Sequence, residues 1–242
     1  MSLAKQITEW IRMQVTSAGA EGVVVGLSGG VDSSVVAGLA KRALDDSVLG
    51  TILPCHSQPV DEEYARLVAH ALGIRLHRVD LTPVYDGLVA QLPPNSPLAA
   101  ANMKSRLRMA ANYYLANSLN YLVAGTGNKS ELYVGYFTKY GDGAADILPL
   151  GGLLKSQVRG LAVELGVPEP IIARPPTAGL WEGQTDEDEI GLTYDELDRA
   201  ILGLERGDVQ GLRPEAVELV RGMHKRSQHK RVLAPVFEPR AE

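Results

Sequence analysis

The stretch "VVVGLSGGVDSSVVAGLA" (residues 23–40) joins a run of β-branched residues to a second apolar run through a short loop rich in serine and glycine. The first run predicts a buried strand, and the periodicity of residues 31–44 predicts a helix. A loop at such a junction exposes backbone N–H groups at the positive end of the helix dipole, where an anion is stabilised. The stretch therefore predicts a phosphate-binding loop.

The loop also carries an acidic residue, Asp32, where phosphate is expected. A carboxylate there repels phosphate unless a cation such as Mg²⁺ lies between them. The loop lacks the lysine of the Gly-x-x-x-x-Gly-Lys motif, which disfavours a kinase-type site for a γ-phosphate. Two plainer interpretations stay open here: the loop is only a tight turn with a serine cap, or Asp32 only caps the helix.

The alternation of strand and helix continues along the chain. Strand patterns occupy 22–27, 48–54, 74–80 and 121–127, and helical patterns occupy 31–44, 59–73, 96–120, 155–166, 194–207 and 213–226. This spacing predicts an α/β fold with a doubly wound parallel sheet covered on both faces. Ligands bind such sheets at the carboxyl ends of strands, where the strand order reverses. The stretches "GLSGGVDSS" (26–34) and "AGTGNKSE" (124–131) stand at two such ends.

Composition limits the classes of function and leads us to expect one domain over residues 1–242. The chain has 45% hydrophobic and 22% charged residues, as ordinary globular proteins do, and a net charge of -5. That charge argues against a nucleic-acid partner, which usually requires a basic surplus.

The single cysteine, Cys55, excludes an internal disulfide and is interpreted as a small apolar filler. No signal peptide or membrane span is recognised, so we expect a cytoplasmic protein.

Two segments are expected to be less ordered than the core. Residues 174–193 are rich in proline, glycine and acidic residues, and they are interpreted as a surface loop that is mobile at 180–190. Residues 224–242 form a basic and then apolar tail. We expect the 180–190 and 224–231 segments to become ordered when ligands bind.

The loop "SGGVDSS" (28–34) resembles the pyrophosphate-binding loop of the N-type ATP pyrophosphatases, the PP-loop superfamily. The middle of the chain resembles one family within it, the NAD synthetases, which are adenine nucleotide alpha hydrolase-like, Rossmann-like proteins. The stretches that carry this resemblance, in the family's order, are "NMKSRLRM" (102–109), "GTGNKSELYVGYFTKYGDGAADILPL" (125–150), "LLKSQVRGLAVELG" (153–166), "RPPTAGL" (174–180), "DEDEIGLTYDELD" (186–198) and "HKR" (229–231).

The resemblance implies amidation of deamido-NAD (nicotinic acid adenine dinucleotide). ATP adenylates the nicotinate carboxylate, pyrophosphate leaves, and ammonia displaces AMP to give NAD. The resemblance also implies a homodimer and residue roles by matching position. ATP would be bound by Gly26, Leu27, Ser28, Gly29, Gly30, Val31, Asp32, Ser33, Thr126, Lys155 and Thr177. Deamido-NAD would be bound by Arg106, Lys139, Asp146, His229 and Lys230. Mg²⁺ would be bound by Asp32 and Glu131, and the two catalytic residues would be Asp32 and Lys155.

These residue types suit the reaction, because phosphate under attack and departing pyrophosphate both carry negative charge. Lys155 begins a helix, where a cation is disfavoured by the dipole, so an anion is expected nearby. Each role has a plainer alternative: Glu131 as a solvated helix residue, the two threonines as turn closers, and the loop and tail charges as ordinary surface charges. Arg106 shares a helix face with Asn102, while Lys104 and Arg108 are interpreted as alternating surface charges.

The chain departs from many ammonia-dependent bacterial members of the family, which read "SGGQDS" and "GTDHAAE" at the two motifs. No residues remain for a glutaminase domain, so free ammonia is the expected nitrogen donor, either directly or from a separate glutaminase. A tRNA-thiolating or tRNA-lysidine enzyme is disfavoured because reactive cysteines and a basic surplus are both lacking. A nucleotide-sensing module without catalysis stays open, and ATP binding without pyrophosphate release would identify it.

Overall fold

The computed structural model describes residues 1–93, 96–177, 179, 183 and 185–239. Its strands form one parallel sheet in the order β3-β2-β1-β4. These are β1 Gly22–Gly26, β2 Val48–Ile52, β3 Arg75–Arg78 and β4 Tyr121–Ala124. The predicted parallel sheet flanked by helices is confirmed, and each strand lies within the stretch where the sequence pattern predicts it.

Six of the longer helices fall where the periodicity predicts them, in several cases to within a residue. They are α2 Val31–Leu44, α3 Pro59–Leu72, α5 Pro97–Leu119, α7 Lys155–Leu165, α10 Tyr194–Arg206 and α11 Pro214–Arg226. Two further helices are α1 Leu3–Ser17 and α4 Thr82–Val89, of which α4 lies where no helix is predicted. Shorter helices are α6 Lys129–Val134, α8 Glu169–Ile172, α9 Asp186–Ile190 and α12 Gln228–Arg231. Ser96 caps α5 by accepting a hydrogen bond from the Ala99 N–H at 3.3 Å, with Pro97 as first residue.

Alternation along β1 explains why the sheet is covered on both faces. Val23 and Val25 pack in the large core cluster with apolar residues of α1, α2 and α7. Val24 points to the opposite face, where it packs with Ala116 of α5 and with Val123. All three valines of β1 are fully buried. A strand buried on both faces reads as a continuous apolar run, as "VVV" does.

The strand order places a crevice between β1 and β4. From β1 the chain proceeds to β2 and β3 on one side, and it then returns to add β4 on the other side of β1. The loops that leave the carboxyl ends of β1 and β4 therefore face each other across a point where the strand order reverses. Those loops contain the two motifs selected from the sequence.

The second half of the chain forms a smaller apolar cluster beside this crevice. Buried side chains of α6, α10 and α11 meet there, including Val134, Leu197, Ile201 and Val220. The cluster fixes α6 and α10 against the start of α7. Three elements that do not belong to the sheet are therefore held next to the crevice.

The interpretation of 174–193 as a surface loop is wrong for its last part. Residues Asp186–Ile190 form α9, and the side chains of Asp186 and Ile190 are both buried. Thr185 caps this helix by accepting from the Asp188 N–H at 3.2 Å. Residue 178 of the expected surface loop, and residues 180–182 and 184 of its expected mobile part, lie outside the described residues.

The tail is helical over its first part. Residues 224–226 complete α11, and α12 follows. Arg231 donates to the Tyr133 carbonyl at 3.0 Å, which ties this part of the chain to α6. Ordering of the tail on ligand binding stays a prediction, and residues 240–242 lie outside the described residues. Along the described part of the chain, no helix combines the length and the apolarity needed to cross a bilayer.

Candidate functional site

A cavity of about 730 Å³ opens at the crevice between β1 and β4. Its volume lies in the range of ligand-binding clefts, roughly 300 to 1,000 Å³. Every predicted loop residue from Gly26 to Ser33 except Gly29 lines it. Thr126, Glu131, Lys155, Thr177 and Lys230 line it as well. The structure thus brings together most of the residues to which the resemblance gives a role in binding ATP.

The loop presents backbone to this cavity. Gly30 is the N-cap of α2, so the first N–H groups of that helix point outward without helical partners. Gly29 adopts the left-handed conformation with a φ of 78°, and a Cβ there would lie 2.6 Å from the Asp61 carbonyl oxygen. Only glycine fits this position. The Ser33 hydroxyl donates to the Gly30 carbonyl at 3.0 Å and holds the turn in shape.

The buried Ser34 does not contribute to the cavity. Its side chain is fully buried and cannot serve as a hydroxyl donor for phosphate. It donates to the Gly30 carbonyl at 2.8 Å instead. The reason is its place on the inner side of the first turn of α2.

The side chain of Asp32 does not cap its own helix. Its Oδ1 accepts from the Asn128 amide at 2.9 Å, and its Oδ2 accepts from the Lys155 ammonium group. Glu131 Oε1 accepts from the same ammonium group at 3.1 Å. Lys155, only 2% exposed, thus lies between two carboxylates that come from distant parts of the chain. These carboxylates are the anions that its place at a helix start indicates.

Asn128 connects the two motifs. It is the N-cap of α6, and its side-chain oxygen accepts from the Glu131 N–H at 3.0 Å. Glu131 Oε2 accepts in return from the Asn128 N–H at 3.2 Å, which completes a capping box. The Asn128 side-chain amide then reaches Asp32. The cap therefore sets the position of Glu131 relative to the phosphate loop.

A third carboxylate lies in the same cluster. Asp186 of α9 is 4% exposed, and its Oδ2 accepts from the Tyr194 hydroxyl at 2.9 Å. Its Oδ1 has no hydrogen-bond partner among the described residues. Tyr194 also reaches Glu131 Oε1 at 3.3 Å. Asp32 and Glu131 pair with the Lys155 ammonium group, and Asp186 lies close enough to be affected by its charge. The three carboxylates of the cluster thus outnumber its one ammonium group.

Burial and charge act in opposite directions on the groups of this cluster. Burial raises the pKa of Glu131 to about 7, although the Lys155 charge lowers it in part. Burial alone would lower the pKa of Lys155, but the charges of Asp32 and Glu131 outweigh it and the pKa is raised. Burial also raises the pKa of Asp186. Lys155 therefore stays a cation, and a further positive charge nearby would stabilise the ionised forms of the carboxylates.

The residues predicted to bind deamido-NAD are only partly brought together. Lys230 lines the cavity and donates to the carbonyls of Gly135 and Phe137, each at 2.8 Å. Arg106, Lys139 and His229 form a separate group outside it. In that group Arg106 donates to the Lys139 carbonyl at 3.4 Å, and the Lys139 ammonium group donates to the His229 carbonyl.

Asp146 lies apart from both groups. It accepts from the Val123 N–H at 2.7 Å and from the Tyr113 hydroxyl at 3.1 Å, which ties the glycine-rich segment to β4 and α5. These bonds give Asp146 a structural role. A role in binding substrate stays a prediction.

Arg108 is a cavity residue that the sequence reasoning missed. It was interpreted as a surface charge, but its guanidinium is half-buried and lines the cavity. It donates to the Leu53 carbonyl at 3.0 Å and to the Ser57 hydroxyl at 3.1 Å. The periodicity of α5 carries no signal for this, because the end of β2 rather than the helix itself encloses Arg108. Asp186 and Tyr194 were also missed, because their burial depends on contact with each other and with Glu131 of α6.

Comparisons of the sequence with known proteins all identify the same family. The model of the family described as NAD synthase matches residues 3–234. The chain is 48% identical to the NH(3)-dependent NAD(+) synthetase of Carboxydothermus hydrogenoformans, over 96% of this chain and 95% of that protein. It is 45% identical to the protein of that name from Methanocaldococcus jannaschii, over 98% and 96% of the two chains.

Two solved structures are similar over nearly their whole length. The NMN synthetase of Francisella tularensis has a TM-score of 0.90 and 40% identity, and the match covers 98% of each chain. The NH3-dependent NAD synthetase of Campylobacter jejuni has a TM-score of 0.86 and 28% identity, and the match covers 98% of this chain and 100% of that one.

Proposed function

The chain belongs to the NAD synthase family, and we propose that it catalyses the ATP-dependent amidation of deamido-NAD by ammonia. The observation that carries this proposal is the joint placement of the phosphate loop, Asp32, Glu131 and Lys155 around one cavity. The nicotinate carboxylate attacks the α-phosphorus of ATP, and pyrophosphate leaves. Ammonia then attacks the carbonyl carbon of the acyl-adenylate, AMP leaves, and one proton is released to solvent.

The chain supplies binding and charge stabilisation rather than a nucleophile. The substrate carboxylate itself attacks, so no side chain needs to form a covalent bond with the substrate. The free N–H groups at the start of α2 stabilise charge on the phosphates, and the Lys155 ammonium group adds a buried positive charge beside them. Thr126 and Thr177 also line the cavity, and we assign both to positioning ATP.

The residues present fit a magnesium ion. Magnesium is bound in nucleotide sites by one or two carboxylates, while substrate phosphates and water complete its shell. Asp32 and Glu131 supply two such carboxylates, and Asp186, whose Oδ1 has no hydrogen-bond partner among the described residues, adds a third beside them. This donor set supports the proposed ion. Among the described residues no group of three or more acidic, histidine or cysteine side chains is arranged to hold a metal alone. When bound, the ion would neutralise phosphate charge.

A homodimer is the proposed assembly. Helix α5 leaves the apolar side chains of Tyr114 and Leu119 exposed, at 73% and 40%. The group of Arg106, Lys139 and His229 lies outside the cavity of a single chain, where a second copy would enclose a dinucleotide. Light scattering after gel filtration should give twice the mass of the chain. A monomeric mass in an active preparation would contradict the assembly.

The function is tested by product analysis. The purified chain is incubated with ATP, Mg²⁺, ammonium and deamido-NAD, and NAD, AMP and pyrophosphate are measured together. We expect all three in equal amounts, with none formed when ammonium is replaced by glutamine alone. Formation of ADP and orthophosphate, or tight ATP binding without pyrophosphate release, would contradict the proposal.

A second candidate substrate is nicotinate mononucleotide, since one solved structure with 40% identity is an NMN synthetase. The same phosphate loop and carboxylates would serve either substrate, because both present the same nicotinate carboxylate. The two substrates are therefore compared by kcat/KM under identical conditions. We expect a higher value for deamido-NAD, in line with the names of the relatives at 45–48% identity. A higher value for the mononucleotide would reassign the substrate.

A further inference from the structure

A buried carboxylate behind the site, Asp198 of α10, joins the two short segments that carry Glu131 and Lys155. Asp198 is 5% exposed. Its Oδ1 accepts from the Ser130 hydroxyl, and its Oδ2 accepts from Ser156, at 3.1 Å from the backbone N–H and at 2.9 Å from the hydroxyl. Both carboxylate oxygens are thus bonded to residues that neighbour site residues along the chain.

The start of α7 needs such partners because its own N-cap cannot supply them. The N-cap residue is Leu154, whose side chain contains no hydrogen-bond acceptor. The Lys155 N–H instead donates to the Ser130 hydroxyl at 3.0 Å, and the Ser156 N–H donates to Asp198. The Gln157 side chain accepts locally only from the Leu154 N–H, at 2.9 Å, so the N–H groups of Lys155 and Ser156 are capped from α6 and α10. A carboxylate at this place also interacts favourably with the helix dipole.

Asp198 has no contact with the cavity. It is absent from the cavity wall, as are Ser130 and Ser156, whereas the side chains of Glu131 and Lys155 reach it. The unit formed by Asp198 and the two serines thus lies one layer behind the charged cluster. A group in that place acts on the reaction only through the residues it holds.

We propose that Asp198 is a positioning residue that sets the place of Lys155 relative to Glu131 and Asp32. This inference rests on the proposed role of Lys155 in charge stabilisation. Loss of the bonds to Ser130 and Ser156 would let the start of α7 shift away from α6, and the ammonium group would move with it. Supporting groups of this kind typically change activity by about 10- to 100-fold, since displacement by about an ångström at a reacting centre is costly.

The test uses Asp198→Asn, which keeps the size of the side chain but removes one acceptor and the charge. The matched control is Glu196→Gln, which lies on the same helix and accepts from the Thr193 N–H in a capping box without a link to Lys155. We expect kcat to fall about 10- to 100-fold in Asp198→Asn with KM for ATP and deamido-NAD nearly unchanged. We expect Glu196→Gln to keep wild-type kcat. Activity is expressed per folded molecule from circular dichroism.

Lys155→Met separates failure of this inference from failure of the proposed role of Lys155. If Asp198 acts through Lys155, the double variant Asp198→Asn with Lys155→Met should be no slower than Lys155→Met alone. Additive losses, or a folded Asp198→Asn with kcat within twofold of wild type, would overturn the inference while leaving the role of Lys155 intact. Full activity in Lys155→Met would overturn both.

Ser130→Ala keeps the test decisive if Asp198→Asn does not fold. It removes the hydroxyl that connects the Lys155 N–H to Asp198 and changes little volume. We expect kcat to fall several-fold in the folded variant with KM unchanged. An unchanged kcat would overturn the inference.

Discussion

The phosphate loop and the charged cluster line the same cavity, but they are built by different means. The loop is one contiguous stretch whose contribution is backbone geometry, held by Gly29 and by hydroxyl bonds to the Gly30 carbonyl. The cluster combines side chains from α2, α6, α7 and α9, which meet only because the crevice brings those elements together. The loop is therefore a local property of the chain, whereas the cluster is a property of the fold.

This difference predicts that side-chain removal harms the cluster most. In Asp32→Ala and Glu131→Ala we expect turnover to fall by about 10²- to 10³-fold each, as for loss of a group that stabilises transition-state charge. The control is Glu205→Ala, which removes an exposed carboxylate paired with Lys129 near the start of α6. Steady-state kinetics and thermal unfolding measure the effects. Near wild-type turnover in either cluster variant would show that its carboxylate is not needed in the site.

Backbone geometry, in contrast, predicts that a single added methyl group damages the loop. In Gly29→Ala the new Cβ would meet the Asp61 carbonyl oxygen, and we expect kcat/KM to fall about 10- to 100-fold through the displaced loop. Gly166→Ala is matched in conformation, with a φ of 75° but nothing within 4 Å of its Cβ.

Both alanine variants carry the cost of the left-handed conformation, about 1–2 kcal/mol. Only Gly29→Ala should also lose activity, which separates the close contact from the backbone strain. Equal kcat/KM in the two variants would show that the shape of the loop does not matter for turnover.

The smallest effect is expected outside both regions, at Cys55. Its thiol is buried with Leu53, Leu81 and Tyr85, and burial raises its pKa, so less of the reactive thiolate is present at a given pH. We expect a thiol reagent to modify the native chain at least about tenfold more slowly than the chain in urea. Cys55→Ala should keep kcat/KM within twofold. Rapid labelling of the native chain, with loss of activity, would contradict the interpretation of Cys55 as a filler.

The parts of this structure that the sequence predicts are those determined by residues adjacent in sequence, such as helix starts and caps. The bounds of α2 and the cap of α5 follow from glycine, serine and proline at positions where their backbone preferences are strong. The capping box of Asn128 also has a local pattern, an asparagine three residues before a glutamate, which would have predicted the start of α6. Such features depend on neighbours in sequence, so a single chain reveals them.

Burial of charged groups could not be predicted in the same way. Arg108 and Asp186 look like surface residues by periodicity and composition. In the fold, Arg108 packs against the segment that follows β2, and Asp186 is buried in contact with Tyr194. Asp198 gives no sequence signal at all, because its partners lie 68 and 42 residues away. What makes these residues important is contact between distant segments, which only the fold specifies.

The most direct test of the account follows the oxygen atoms of the substrate. Deamido-NAD labelled with ¹⁸O in its nicotinate carboxylate is converted with unlabelled ATP and ammonium, and the products are analysed by mass spectrometry. The account predicts one ¹⁸O atom in AMP, one retained in the amide of NAD, and none in pyrophosphate. Label in orthophosphate together with ADP, or AMP without label, would contradict attack of the carboxylate on the α-phosphorus.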